Sequence, residues 1–303
     1  MSEFTQSPAG PPSAAPARMR TVLCTCGGLY GALVLRRLRA CDRLEICAVV
    51  RSTRVLDPRF GFLRGAVAQV RRSGIAYALY LWCTTTLADW LCVLGGVGAV
   101  PTRSATPGPC VLATRDINDA EGMRFVAACA PDLLVSAFFN QRLYTPILAL
   151  PRRGCLNIHP SLLPEAKGVD PVFQSLLHGD PPLGVTVHFM SPELDAGRIV
   201  AQRSFEGHAT TSVFSTTALL FREGAELLAA AIESIARGAT GTPQSGAGSY
   251  QSWPTRRELR TLRARGSALL RFADLARLVR GRLPRVSAGE RDRCSEASPP
   301  RSV

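Results

Sequence analysis

The strongest constraint on the fold lies near the start of the chain, where two apolar runs enclose a glycine turn and a helix-like segment. The run TVLCTC (Thr21 to Cys26) is followed by GGLYG and ALVLRRLRAC, and then by LEICAVVRS (Leu44 to Ser52). Short apolar runs separated in this way predict strand, helix and strand. Two strands joined by a helix pair in parallel, so the sequence predicts an α/β fold with a mostly parallel sheet.

The glycine turn after the first strand does not carry the pattern of a dinucleotide site. Gly27, Gly28 and Gly31 do not form GxGxxG, and no acidic residue ends the second strand, where a ribose would be held. We therefore interpret these glycines as residues needed for tight packing.

The rest of the 303-residue chain divides into segments of different character. The first residues, MSEFTQSPAGPPSAAPARMR, contain no apolar core of a signal peptide, and we expect a cytoplasmic protein. The predicted segments are a disordered leader at 1–18, an α/β domain at 19–240 with an apolar insert at about 55–109, a helical C-terminal extension at 241–286 and a disordered tail at 287–303. The segment from Ser212 to Gly238 predicts a long helix that ends at the glycine, and TGTPQSGAGS at 240–249 predicts a linker.

The insert contains an apolar stretch at residues 74–100, which is about as long as a bilayer span. Asp89, three consecutive threonines and a glycine-rich end argue against a true span. We interpret the stretch as a buried or interface helix pair and expect no membrane partner.

Charge and cysteine content bear on partners and metals. The net charge is +13, and the last 50 residues hold 13 arginines against five acidic residues. Such a tail either steers the protein toward RNA, with tRNA as the candidate, or forms a solvated face. The ten cysteines are scattered without zinc-ligand spacing, so we expect reduced thiols and no metal.

The stretch GCLNIHPSLLP, which starts at Gly154, places two polar side chains at a predicted strand end. Asn157 and His159 are two residues apart, so in an extended chain they share one face. A carboxylate, Asp195, follows in the turn SPELDAGRI. Parallel sheets collect ligands at the carboxyl ends of their strands, where these three groups would converge.

The three groups suit proton transfer and oxyanion stabilisation. No activated nucleophile accompanies them, which indicates direct transfer of an acyl group between two bound substrates. The residues alone leave another interpretation open, in which the histidine caps a turn and the Asp-Ala-Gly sequence only forms one. We interpret His188, in the predicted strand GVTVHFM, as a packing residue.

The motif NIHPSLLP, followed by GVTVHFMSPELDAGRIVAQ, resembles the formyltransferase family that uses 10-formyltetrahydrofolate. The resemblance runs from about Thr21 to Gly238. It implies a Rossmann-like formyltransferase fold and an enzyme that passes a formyl group from this folate co-substrate to an acceptor amine.

The resemblance also implies roles for individual residues. Asn157 matches the residue that binds the formyl oxygen, His159 the catalytic histidine, Asp195 its carboxylate partner and Ser161 a supporting serine. The residues implied on the folate side are Phe139, Asn140, Gln141, Leu143, Pro192, Leu194 and Ala196, and those on the acceptor side are Lys167 and Gly168.

The acceptor stays open at this point. Methionyl-tRNA formyltransferases follow the motif with an aromatic residue, arginine and glycine, whereas this chain has EAKG, with Lys167 in place of the arginine. Glycinamide ribonucleotide formyltransferases carry a different glycine loop after the first strand. We predict a methionyl-tRNA-formyltransferase-like enzyme. The alternatives are a phosphoribosylglycinamide, amino-sugar or secondary-metabolite formyltransferase, a formyltetrahydrofolate hydrolase, and a non-catalytic folate- or RNA-binding protein.

Overall fold

The computed structural model of the protein describes residues 18–55, 59, 61–179, 182–205, 212–246 and 248–282. The strands are β1 Met19–Thr25, β2 Leu44–Ser52, β3 Cys110–Thr114, β4 Leu133–Ala137, β5 Cys155–His159, β6 Ala166–Gly168, β7 Leu183–Phe189, β8 Ile199–Phe205 and β9 Ser249–Gln251. The helices are α1 Gly28–Arg39, α2 Phe62–Ser73, α3 Ile75–Trp82, α4 Ala88–Leu94, α5 Ala120–Ala128, α6 Thr145–Leu148, α7 Pro171–His178, α8 Val213–Ala236, α9 Arg256–Ala264 and α10 Phe272–Val279. The predicted leader, except for residue 18, and the predicted tail lie outside the described residues.

One seven-stranded sheet organises the described part of the chain, in the order β3-β2-β1-β4-β5-β7-β8. The first five strands in that order are parallel, and β7 and β8 add to the edge in antiparallel pairs. This arrangement confirms the predicted α/β fold with a mostly parallel sheet.

The core lies on both faces of the sheet because the central strands are apolar on both sides. On one face, α1 and α8 pack against the strands, and Tyr30 of α1 stacks on Phe221 of α8 with ring centroids 5.5 Å apart. The predicted long helix at 212–238 is confirmed as α8, and the Ser212 hydroxyl caps it by accepting from the Ser215 N–H. On the other face, α5 and α6 cover a smaller apolar cluster.

The insert is more regular than the sequence predicted, since it forms α2 and a continuous 20-residue helix, Ile75–Leu94. The middle of that helix, Cys83–Leu87, is π-helical. The hydroxyls of Thr84 and Thr85 both donate to the Leu81 carbonyl, which competes with regular helical hydrogen bonds and accounts for the wider turn.

The C-terminal extension contains the predicted helices but packs against the α/β domain. Leu259, Leu262 and Leu278 belong to the main core cluster. The buried carboxylate of Asp274 accepts from the hydroxyls of Ser212 at 2.7 Å and Ser215 at 2.6 Å. The predicted linker at 240–249 was only partly right, because its last residue, Ser249, begins β9, which pairs with β6.

Asp274→Ala should lower the free energy of unfolding by about 2–4 kcal/mol, because two buried hydroxyls would lose their acceptor and α10 its link to α8. Urea denaturation measures this change. Asp42→Ala, at an exposed turn, is the control and should stay within about 0.5 kcal/mol of the parent. Equal effects of the two substitutions would contradict the structural role of Asp274.

Candidate active site

Strand β5 presents Asn157 and His159 at the carboxyl end of the sheet. It lies between β4 and β7, and its alternation places both side chains on one face, as the sequence predicted. His159 is buried and Asn157 is half-buried. The carboxamide is therefore the more accessible of the two groups.

His188 lies directly across from Asn157, because β5 and β7 pair in antiparallel register at these residues. Its Nε2 is 3.2 Å from Asn157 Nδ2, and its Nδ1 is 2.8 Å from the Phe189 carbonyl oxygen. A carbonyl only accepts, so Nδ1 carries the proton and Nε2 accepts from the carboxamide. His188 is buried, as a packing residue would be, and it also contacts the Asn157 carboxamide, which the sequence analysis did not predict. The alternation of GVTVHFM could have revealed it, since it places His188 on one face with Thr186.

The contact also determines how the carboxamide is oriented. Burial, followed by the neighbouring His159, lowers the pKa of His188 to about 4, so this imidazole is neutral at pH 7. A neutral Nε2 accepts one of the two amide hydrogens of Asn157. The other amide hydrogen is left to donate to a bound group.

Asp195 joins the cluster from the loop between β7 and β8. Its backbone adopts a left-handed conformation with φ of 51°, and Gln244 holds its carbonyl oxygen at 2.9 Å. One carboxylate oxygen is 3.7 Å from His159 Nδ1 and 3.9 Å from His188 Nε2. The other accepts from the Gly168 N–H at 3.0 Å. Gln244 lies in the predicted linker, and no sequence signal pointed to it.

The hydrogen bond made by His159 Nε2 determines which nitrogen of this imidazole can exchange a proton. His159 Nε2 lies 2.8 Å from the carbonyl oxygen of Ala166, so Nε2 donates. The Ser161 hydroxyl donates to the same oxygen at 2.7 Å. Nδ1, which faces Asp195, is therefore the ring nitrogen that can accept and release a proton.

The acceptor-side residues predicted from the resemblance lie in β6, beside this cluster. Gly168 has φ of 127°, and a Cβ there would lie 1.9 Å from the Gln251 carbonyl oxygen, so only glycine fits. This conformation lets the Gly168 N–H donate to the Asp195 carboxylate. The neighbouring Lys167 contributes positive charge near His188.

The predicted folate-side residues fall into two groups. The segments at 139–143 and 192–196 are adjacent, because Arg142 Nε donates to the Pro192 carbonyl oxygen at 3.0 Å. Phe139 is half-buried against the smaller core cluster and Leu194 is exposed, and the surface that they leave accessible would suit a flat, partly apolar ring. Pro192 is exposed, and Asn140 and Ala196 also keep accessible surface.

Gln141 and Leu143 do not share this surface. Leu143 is 1% exposed and packs in the smaller core cluster. Gln141 is also buried, and it hydrogen-bonds the Ile117 N–H and the Thr114 carbonyl. Both side chains are directed into the interior and do not add to the surface that Phe139 and Leu194 share.

The glycine turn at the start of α1 is closed by the insert. The Gly28 N–H donates to the Asp89 carboxylate at 2.8 Å, and Arg51 pairs with the same carboxylate at 2.7 Å. A Cβ on Gly28 would lie 1.9 Å from the Thr84 carbonyl oxygen. The helix N-terminus, where this class of fold holds phosphate, therefore carries the protein's own anion.

Among the described residues, no three or more His, Cys, Asp and Glu side chains are grouped so that they could hold a metal ion.

Comparison with known proteins identifies what this site resembles. Residues 99–232 match the family model described as formyl transferase. The methionyl-tRNA formyltransferase of Roseiflexus sp. (strain RS-1) is 36% identical over 148 residues, which cover 48% of this chain and 45% of that protein. The enzyme of the same name from Thermotoga neapolitana is 42% identical over 95 residues, 31% of this chain and 30% of that protein. The chain thus spans less than half the length of these curated relatives.

Solved structures agree on the fold. Glycinamide ribonucleotide transformylase 1 from Symbiobacterium toebii superposes with a TM-score of 0.50 at 18% identity, over 77% of this chain and 96% of that chain. At this identity the likeness concerns the fold alone. The family match begins at residue 99, so α2, α3 and α4 lie outside it.

The buried neutral state of His188 predicts a pH dependence of stability. A pKa lowered from 6.5 to about 4 means that the unfolded chain binds a proton before the native protein does, so stability falls as the pH drops from about 6.5 to 4. The loss from this group approaches about 3 kcal/mol. Urea denaturation across this pH range measures it.

In His188→Gln the same pH series should be flatter, because glutamine does not titrate while its carbonyl still accepts from Asn157. Exposed His178 provides the matched control, and His178→Gln should retain the parent's slope. Parallel curves for the parent and His188→Gln would refute the lowered pKa.

Proposed function

Because residues 99–232 match the family model described as formyl transferase, we propose that this protein transfers the formyl group of 10-formyltetrahydrofolate to an acceptor amine. The observation that carries the proposal is the convergence of Asn157, His159 and Asp195, with His188 orienting the carboxamide. A protein that only bound folate would not need an oriented amide hydrogen beside an imidazole–carboxylate pair.

The folate co-substrate supplies an activated formyl group on N10. Asn157 donates its remaining amide hydrogen to the formyl oxygen as the acceptor amine attacks the formyl carbon. The charge that develops on that oxygen is stabilised by this oriented donor. Removal of one such donor typically lowers kcat by about 10²–10³-fold.

His159 and Asp195 transfer the proton from the amine to N10 in the same step. A new bond forms between the acceptor nitrogen and the formyl carbon, and the bond from that carbon to N10 breaks. The amine loses one proton and N10 gains one, so the pair only relays it. His159 Nδ1, which faces Asp195, takes up this proton from the amine and releases it to N10.

The acceptor should be a molecule that does not need to bind a phosphate group at the N-terminus of α1. Asp89 already occupies that helix N-terminus, and a phosphate there would meet a carboxylate at close range. This disfavours glycinamide ribonucleotide. The curated relatives are methionyl-tRNA formyltransferases, so we propose methionyl-tRNA as the first acceptor to test, with amino sugars as the second.

The reaction is tested by following tetrahydrofolate release from 10-formyltetrahydrofolate with methionyl-tRNA, glycinamide ribonucleotide or an amino sugar. Release should depend on the amine, and His159→Ala should lower kcat by about 10²–10⁴-fold. His178→Ala should leave kcat unchanged. Equal release without any amine would replace the transferase with a hydrolase.

A tRNA acceptor would be held by the exposed arginines of α9, namely Arg257, Arg260 and Arg263. Replacing these three by glutamine should reduce the slope of log K against log salt by about 2, since each arginine would release one phosphate counterion. Filter binding over a salt series measures this. Arg124→Gln, on α5, is the control. An unchanged slope would leave α9 as a solvated face. Point substitutions are needed because deletion of this segment would remove core leucines.

A further inference from the structure

The continuous helix Ile75–Leu94 is apolar on two opposite sides. One side packs inward, where Tyr77, Tyr80 and Cys92 are buried. The other side faces solvent and carries an apolar stripe at helical spacing. We call it the exposed apolar face; it consists of Ile75, Leu79, Trp82, Trp90 and Val93.

The neighbouring helix extends the exposed apolar face. Helix α2 packs beside α3, and its first turns leave Phe62, Leu63 and Val67 exposed. Trp90 is 72% exposed and Leu63 is 77% exposed. Soluble proteins rarely present so many large apolar side chains together unless something covers them.

The inward contacts of the same helix exclude a membrane-spanning arrangement. Ile75–Leu94 is long and apolar enough to cross a bilayer by length and composition. However, Tyr77 donates to the Asp170 carboxylate at 2.7 Å, and Asp89 binds Gly28 and Arg51. One side of the helix therefore belongs to the folded domain, and only the other is available to a partner.

The charge around the exposed apolar face identifies the partner. Arg64, Arg71 and Arg72 are exposed on α2. Asp89 is the sole acidic residue in 61–98, and it is turned inward to Arg51. Arginines beside tryptophan and leucine side chains are typical of helices that lie in the headgroup region of an anionic bilayer. A second copy of the chain would bring like charges together.

We propose that this protein docks peripherally on anionic lipid bilayers through the exposed apolar face, with α2 and the helix Ile75–Leu94 lying parallel to the membrane. The apolar side chains enter the acyl boundary, and the arginines contact the lipid phosphates. The face lies outside residues 99–232, so docking is separable from the formyl-transfer site.

The chain offers an internal reporter, because two of its three tryptophans, Trp82 and Trp90, lie on this face. The third, Trp253, is partly buried against Tyr77. Addition of vesicles of phosphatidylcholine and phosphatidylglycerol should blue-shift the fluorescence, and lipids brominated on their acyl chains should quench it. Vesicles of phosphatidylcholine alone should bind about tenfold more weakly.

Variants separate the two contributions. Leu79→Gln with Trp82→Gln should reduce co-sedimentation with the anionic vesicles about tenfold or more. Arg64→Gln with Arg71→Gln should reduce it by a similar factor, and more at low salt than at high salt. Arg124→Gln, on the opposite side of the sheet, is the matched charge control and should sediment like the parent. Circular dichroism verifies that each variant is folded.

Two results would overturn the proposal. One is an absence of quenching and sedimentation with anionic vesicles at low salt. The other is a parent protein that is dimeric by light scattering together with a Leu79→Gln, Trp82→Gln variant that is monomeric. That result would assign the exposed apolar face to a second copy of the chain. Formyl transfer by the same variants, measured without lipid, should match the parent, so failure of docking is distinct from failure of the proposed function.

Discussion

The antiparallel register between β5 and β7 is the constraint on which the candidate site depends. It places His188 opposite Asn157 and directs the following loop, with Asp195, back over His159. A shift of β7 by one residue would turn His188 to the other face of the sheet, away from Asn157. The apolar residues that alternate with them in both strands hold the register, because they pack under α8. Core packing and active-site geometry are thus two results of one pairing.

The insert changes what the parallel sheet can bind. In a doubly wound fold, the turn between the first strand and the first helix offers N–H groups to an anion. Here the π-helical turn brings the Thr84 carbonyl against Gly28, and Asp89 supplies the anion from within. The same helix leaves its opposite side apolar and exposed. The insert therefore fills the anion site at the start of α1 and also forms the exposed apolar face.

Local patterns in the sequence were sufficient for most of the fold. Short apolar runs bounded by glycine predicted β1, β2 and the parallel sheet, and the long segment that ends at Gly238 predicted α8. The sequence was less informative where structure depends on distant partners. The strands β6 and β9 are three residues each and pair between residues 83 positions apart, so neither has a local signal of its own. The apolar stretch of the insert was predicted to be a helix pair, yet packing against α1 holds residues 75–94 in one continuous helix.

The sequence by itself determined the fold class and the resemblance to formyltransferases. It also placed Asn157 and His159 on one face, because that depends only on the two-residue period of a strand. Only the tertiary structure decided that His188 orients the carboxamide, that Gln141 and Leu143 are interior residues and that Asp89 occupies the start of α1. Each of those depends on which strand or helix lies opposite. That choice is made by long-range packing, which no local pattern records.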